Sequence, residues 1–246
     1  MDPHKPYHER PPWFTKRNHS FLNLISAYDS EINYVDSHIK ELFDLFNWYD
    51  DTVVIVTSDH GEAFRDHGTY IGHGHSLFNE EIRVPLLIYI PGGKISGRIA
   101  QAVSGIDILP TLSNIIGLPT DTSWEGLNII PLIKPNAQQN PARYLYAHLL
   151  HRQDALQVPE DKYSVKAIFN NQWKYITSQK YTKLFDLQLD PLESANFLTH
   201  KPEQAELLRI QLSGFLKSCK RFTPTEQAIT LGKDQIEKLK SLGYVR

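Results

Sequence analysis

The sequence predicts an α/β protein with a mostly parallel sheet flanked by helices, followed by a small α+β subdomain with an antiparallel sheet. Three observations carry this. Residues 52–57 (TVVIVT) form a β-branched run without Gly or Pro, as a buried parallel strand does. A helical apolar period precedes it over residues 21–47, and helix followed by strand suggests a crossover onto a parallel sheet. Beyond residue 141, four short strand-like runs and one amphipathic helix follow each other, the pattern of a small antiparallel unit.

In residues 21–47, Ile25, Tyr28, Ile32, Val35, Ile39, Leu42 and Phe46 recur at steps of three and four, and this stripe is expected in the core. Trp48 to Asp51 is the expected turn into the strand. The strand stops at Ser58-Asp59-His60-Gly61, where Gly61 is expected to let the backbone turn sharply. A second strand is expected over Arg83 to Ile90, ended by Pro91-Gly92. Arg98 to Val103 is a further strand candidate, and Asp107 is expected to cap an apolar helix ending near Gly117. The polar stretch Lys134 to Pro141 (KPNAQQNP) is expected to divide the chain into domains 1–134 and 141–246. Strands are expected at 144–149, 164–169, 173–177 and 183–187, with Asn170-Asn171 as a hairpin turn. Pro202 opens a helix through Leu207, Leu208, Leu212 and Phe215.

The 246 residues allow one or two domains. A hydrophobic content of 41% and a charged content of 22% are ordinary for a globular chain, and a net charge of −2 argues against a nucleic-acid or anionic-membrane partner. No apolar run reaches the roughly 18 residues of a membrane span. Residues 1–20 are polar, with Pro3, Pro6, Pro11 and Pro12, and do not read as a signal peptide. The single cysteine, Cys219, excludes an internal disulfide framework.

The chemistry concentrates at the end of the first strand. Ligands of open α/β sheets sit beyond the carboxyl ends of strands, which is where Asp59 and His60 fall. A carboxylate beside an imidazole makes half of a divalent-metal site. From the dipeptide alone, the alternative that Asp59 caps a helix and His60 is a loop residue stays open. His67, His73 and His75 follow, separated by Gly68, Gly72 and Gly74, and then the second strand.

Strand, Asp-His-Gly, His-Gly loop and strand together resemble the sulfatases of the alkaline phosphatase superfamily. The residues that carry the resemblance are Asp51-Thr52, Ser58-Asp59-His60-Gly61-Glu62, His67-Gly68, Gly72-His73-Gly74-His75-Ser76-Leu77 and Arg83-Val84-Pro85. Asp2-Pro3-His4 with Pro6-Tyr7, Leu184-Phe185-Asp186-Leu187 with Asp190-Pro191, Glu193 and Asn196, and the closing residues 234–246 extend it over nearly the whole chain. The family pattern places these residues in the carboxyl-terminal part of a sulfatase, an incomplete alkaline phosphatase-like fold.

The resemblance implies a sulfuric ester hydrolase. Asp59 and His60 would be ligands of one divalent cation, calcium in most of the family, with Mg2+, Mn2+ or Zn2+ as other candidates. Imidazole at position 60, where many members carry Asn, suits transition metals better than calcium. His4, His73 and His75 would surround the sulfate. One of His73 and His75 would replace the family's Lys as anion clamp or general acid. The family's nucleophile is a formylglycine made from Cys in a C-x-P-x-R motif. The chain has no such motif, and Cys219 lies in Ser218-Cys219-Lys220-Arg221. The partner implied is a sulfated small molecule or glycan, with complementation by a missing amino-terminal half also open. The family leans periplasmic, extracellular or lysosomal. Two other readings compete: phosphodiester, phosphonate or phosphoglycerol chemistry on the same fold, and a catalytically inactive binding remnant.

Overall fold

The structure, a computed structural model, describes residues 21–68, 70–93, 95–134, 143–150, 164–219, 232 and 235–237, with the backbone alone for 21–23. By contacts, Met1–Leu212 form one compact unit and Ser213–Arg246 a second. The expected division at 134–141 falls mostly outside the described residues. Among the described residues no helix is long and apolar enough to cross a membrane.

Helix α1, Phe21–Phe46, confirms the long periodic segment. It ends where Asn47 takes a left-handed conformation (φ 52°), which Asn tolerates better than most residues. The expected turn that follows is a short helix, α2, Trp48–Asp51. The apolar stripe of α1 does not form a core among the described residues. Ile32, Val35, Leu42 and Phe46 are exposed, whereas Ile25, Tyr28 and Ile39 of the same stripe are half-buried. Tyr28 meets Phe64 at 5.2 Å between centroids, and Phe43 meets Trp48, Tyr49 and Tyr89.

Strand β1, Val54–Thr57, pairs with β4, Leu86–Tyr89, in antiparallel register from Val54↔Tyr89 to Thr57↔Leu86. The expected parallel neighbour of β1 is not among the described residues. A parallel partner needs a crossover, whereas the chain returns to the edge of β1 through a Gly-rich loop and a short helix. Every strand pair among the described residues is antiparallel, and β1 is half-buried with Thr57 exposed. Between β1 and β4 lie the hairpin of β2 (Ala63–Phe64) with β3 (Ile71–Gly72) and the single-turn helix α3, Asn79–Ile82.

Arg98 to Val103 forms no strand; Ala102 instead donates its N–H to Asn171 Oδ1 at 2.9 Å. Asp107 precedes α4, Ile108–Ile115, but is no ordinary cap. It is fully buried, accepts from Ser104 N and Leu127 N at 2.8 Å each, and pairs with Arg143 at 2.6 Å. Its role is to join three separated segments.

The carboxyl-terminal elements agree closely with expectation. Strands β5 (Leu145–Leu150), β6 (Ser164–Phe169), β7 (Trp173–Thr177) and β8 (Thr182–Asp186) form an antiparallel meander in that order. Asn170 closes the β6–β7 turn: its Oδ1 accepts from Gln172 N and Trp173 N. The period-2 alternation gives the sheet two buried faces. Ile168, Tyr175 and Leu184 pack on Ala205, Leu208 and Leu212 of α5, Pro202–Ser218. Val165, Ala167, Ile176 and Phe185 pack on Leu77 and Phe78, between β3 and α3. That second contact sets the sheet against the histidine loop.

In the second unit the described residues show the end of α5, where Phe215 O accepts from Ser218 Oγ and Cys219 N. Cys219 is exposed at that helix end.

Candidate functional site

Strand β1 delivers Ser58, Asp59 and His60 to its carboxyl end. Ser58 Oγ donates to His60 O at 2.6 Å, and Asp59 Oδ1 accepts from His60 N at 3.0 Å. No helix follows directly, so Asp59 caps none. Its carboxylate is mostly exposed, with Oδ1 3.7 Å from His60 Nε2. Gly61 serves close approach rather than a sharp turn. A Cβ there would lie 2.0 Å from Glu80 O, and its N–H donates to Glu81 O at 2.8 Å.

The β2–β3 hairpin turns the chain back and sets His73 beside residue 60. The two imidazoles stack at 3.7 Å between centroids. His73 Nδ1 lies 2.9 Å from Glu62 Oε2. Glu62 is buried, and its Oε1 has no hydrogen-bond partner. One ligand atom each from His60, Glu62 and His73 lies within 4.8 Å of the others. A buried carboxylate oxygen left without a donor costs about 1–3 kcal/mol. A cation would remove that cost, so these residues fit a divalent metal.

His75 turns the other way. Its ring lies on Tyr70 at 3.8 Å, and it lines a cleft of about 330 Å3 that includes neither Asp59, His60 nor His73. The loop between the two histidines is held by a buried carboxylate. Glu81 Oε2 accepts from Gly74 N at 2.6 Å and His75 N at 3.1 Å, and Oε1 accepts from Ser76 Oγ at 2.6 Å. Burial, with Glu81 nearby, raises the pKa of the Tyr70 and Tyr181 phenols, so both keep their protons at neutral pH. His67 is structural: it stacks flat on Phe78 at 3.8 Å between Glu80 Oε1 and the carbonyl of Glu193. His4 lies outside the described residues.

The motif at 184–196 supplies a brace behind this loop. Glu193, itself left-handed at φ 55°, places a carboxylate 2.7 Å from Lys174 Nζ and accepts from Asn79 N at 2.6 Å. Lys174 also donates to Asn79 Oδ1 at 3.0 Å. Both charged side chains are fully buried, and desolvation pulls the Lys174 pKa below its usual value against the raising effect of Glu193. Sequence reasoning gave Glu62, Glu81, Lys174 and Glu193 no role. Glu62 and Glu193 stood in quoted motifs, whereas Glu81 and Lys174 carried no local signal.

Fold and site thus define an α/β protein with a candidate divalent-metal cluster at a strand's carboxyl end, beside a cleft. Residues 1–118 match the Sulfatase family model, and residues 66–220 match that for N-sulphoglucosamine sulphohydrolase, C-terminal. The chain belongs to the sulfatase family. Arylsulfatase K of Rattus norvegicus is 33% identical over 168 residues, covering 65% of this chain and 29% of that protein. The chain spans about a third of the length of such curated relatives. Among solved structures, a protein in complex with its substrate D-glucosamine-2-N,6-O-disulfate matches with TM-score 0.62 and 20% identity over 80% of this chain and 41% of that one. The phosphonate monoester hydrolase of Agrobacterium radiobacter matches with TM-score 0.62 and 23% identity over 80% and 42%. At these identities the two structures speak for the fold.

Proposed function

We propose that this chain is the metal-binding, carboxyl-terminal part of a sulfuric ester hydrolase acting on a sulfated small molecule or glycan. Residues 1–134 would carry the catalytic-domain portion and 141–246 the subdomain that backs it. The observation that carries the reading is the buried Glu62, with one oxygen unpartnered, set between His60 and His73 at the end of β1. His60, Glu62 and His73, with Asp59 beside them, would hold a divalent cation. Such a cation, when bound, offsets negative charge on the sulfate oxygens as the ester S–O bond breaks.

The chain's own residues do the rest of what it can do. Glu62 fixes the His73 ring through Nδ1, and Glu81 fixes the backbone of Gly74 and His75. His75, at the wall of the cleft, is placed to hold a proton for the leaving alcohol or to clamp the anion. The nucleophile would come from a C-x-P-x-R motif outside this chain.

The test has two stages. Calorimetric titration of the chain with Zn2+, Mn2+ and Ca2+ should show one bound cation, lost in Glu62→Gln and in His60→Ala. Joined to an upstream sulfatase half carrying C-x-P-x-R in a formylglycine-producing host, the chain should turn over p-nitrophenyl sulfate faster than a phenylphosphonate ester. Preference for the phosphonate would move the reading to phosphorus chemistry, and no cation bound at any concentration would sink it.

A further inference from the structure

The backbone between His73 and His75 joins the metal cluster to the cleft. Glycines at positive φ flank its first residue, Gly72 at 125° and Gly74 at 79°. Glycine adopts these angles freely, so the local chain does not by itself fix how the peptides between them are turned. Side chains do. Tyr70 Oη donates to His73 O at 3.0 Å, and Glu81 Oε2 accepts from Gly74 N at 2.6 Å. These are the carbonyl and the N–H of one peptide, which point in opposite directions when it is trans. The plane linking His73 to Gly74 is therefore gripped at both ends. Turning it over would break both bonds and aim the carbonyl at the Glu81 carboxylate.

Tyr70 does more than complete that grip. Its ring lies against the His75 imidazole at 3.8 Å, tilted by 44°. Its hydroxyl passes over Gly72, where a Cβ would come within 2.5 Å of Tyr70 Oη, so the bare backbone at 72 leaves the phenol its path to His73 O. Its own carbonyl accepts from Arg65 N at 3.0 Å, which ties the residue to the far strand of the β2–β3 hairpin. One side chain thus touches the backbone of the first histidine and the ring of the second. Held in this way, His73 meets Glu62 and stacks on His60, while His75 lies at the cleft.

We propose that Tyr70 is a positioning residue that sends the two histidines to different tasks. Its hydroxyl sets the 73–74 peptide and through it aims His73 at the cluster, and its ring keeps His75 on the cleft wall. The tasks themselves rest on the reading given under Proposed function; the hold on peptide and ring does not.

The test uses the whole chain, with Zn2+ alone as titrant in calorimetry and NMR on the metal-free protein. Tyr70→Phe removes the hydroxyl and keeps the ring. Zn2+ affinity should fall about three- to tenfold, the loss of one neutral hydrogen bond. The His73 carbonyl carbon signal should move, and the His75 ring protons, shielded by the neighbouring aromatic ring, should stay where they are. Tyr70→Leu should shift those ring protons as well, with Tyr70→Met in its place if the Leu variant does not fold. Ile168→Val, in the core between the sheet and α5, lowers stability alone and should leave affinity and both signals unchanged. Unchanged Zn2+ affinity in Tyr70→Phe, an unmoved His73 carbonyl, unmoved His75 ring protons without the aromatic ring, or an equal loss of affinity in Ile168→Val would each overturn the proposal. A wild type that binds no Zn2+ would overturn the metal reading, and the carbonyl and ring signals, taken without metal, would still uphold or overturn this one.

Discussion

Glu193→Gln tests the brace between the carboxyl-terminal sheet and α3. The substitution keeps shape and an acceptor for Asn79 N, and removes the charge 2.7 Å from Lys174 Nζ. Lys174 then sits fully buried with Asn79 Oδ1 as its acceptor, the single amide oxygen being taken by Asn79 N. Breaking a buried pair from one side costs about 3–5 kcal/mol. A second route gives a ceiling. The ammonium can escape by losing its proton, which at pH 7 costs about 1.4 kcal/mol for each pH unit below the ordinary 10.5, hence about 5 kcal/mol. The two bounds agree, and the remaining Asn79 acceptor favours the lower end, about 3 kcal/mol. For a domain stable by roughly 5–15 kcal/mol that is a large share.

The assay is urea unfolding followed by far-UV circular dichroism, at pH 7 and again at pH 9.5. A lysine whose folded pKa is depressed leaves the native state with fewer protons than the unfolded state between the two pKa values. Stability therefore rises with pH toward 10.5, and the cost of burial is fully felt only below the folded pKa. Glu193→Gln should depress that pKa further, so its deficit should shrink at pH 9.5. Removing both charges, Lys174→Met with Glu193→Leu, should cost less than the single change, the residual being Asn79 N without its acceptor, about 1–3 kcal/mol. A deficit under about 1 kcal/mol at pH 7, or one independent of pH, would refute the reasoning.

Three further outcomes follow from the same geometry. Gly61→Ala should destabilise by about 3 kcal/mol, the upper end for overpacking, because its Cβ would meet Glu80 O at 2.0 Å; a urea midpoint near wild type would contradict this. Glu81→Gln should expose the amides of Gly74 and His75 to hydrogen exchange at least about tenfold faster, since the carboxylate holds both; unchanged protection would show that something else fixes the loop. The chain by itself should give no turnover of p-nitrophenyl sulfate above buffer, as it carries no C-x-P-x-R nucleophile; turnover insensitive to chelator would show that the site has been misread.

The sequence read best where local physics decides. In the meander, alternation and Asn170 specify strands and turn together, and β6 and β7 fall on the expected residues. Where partners decide, it read less well. The TVVIVT run has the composition of a parallel strand, but pairing belongs to the partner, and β4 comes back antiparallel. The α1 period found the helix, but only part of its stripe is covered among the described residues, because periodicity names an apolar stripe without naming what covers it. At the site, Asp59, His60, His73 and His75 stood out as rare donors in a Gly-rich setting. The structure separates the last two onto different surroundings, a distinction that depends on Tyr70 and Glu62 and on no spacing rule. Glu81 and Lys174 were illegible because nothing near them in sequence marks a charged residue as buried.

The two charged groups buried behind the loop bear on how the site could work. Glu193 touches β7 through Lys174, α3 through Asn79 N and the histidine loop through His67. α3 in turn carries Glu80 and Glu81, which hold His67 and the 74–76 backbone. The position of His75 is thus set by a chain of hydrogen bonds that begins in the carboxyl-terminal sheet. Loosening the brace with Glu193→Gln should therefore speed amide exchange at Gly74 and His75, whereas His60→Ala should leave that protection intact. Sheet and loop would then act as one rigid element, and the cluster at β1 as a separate one.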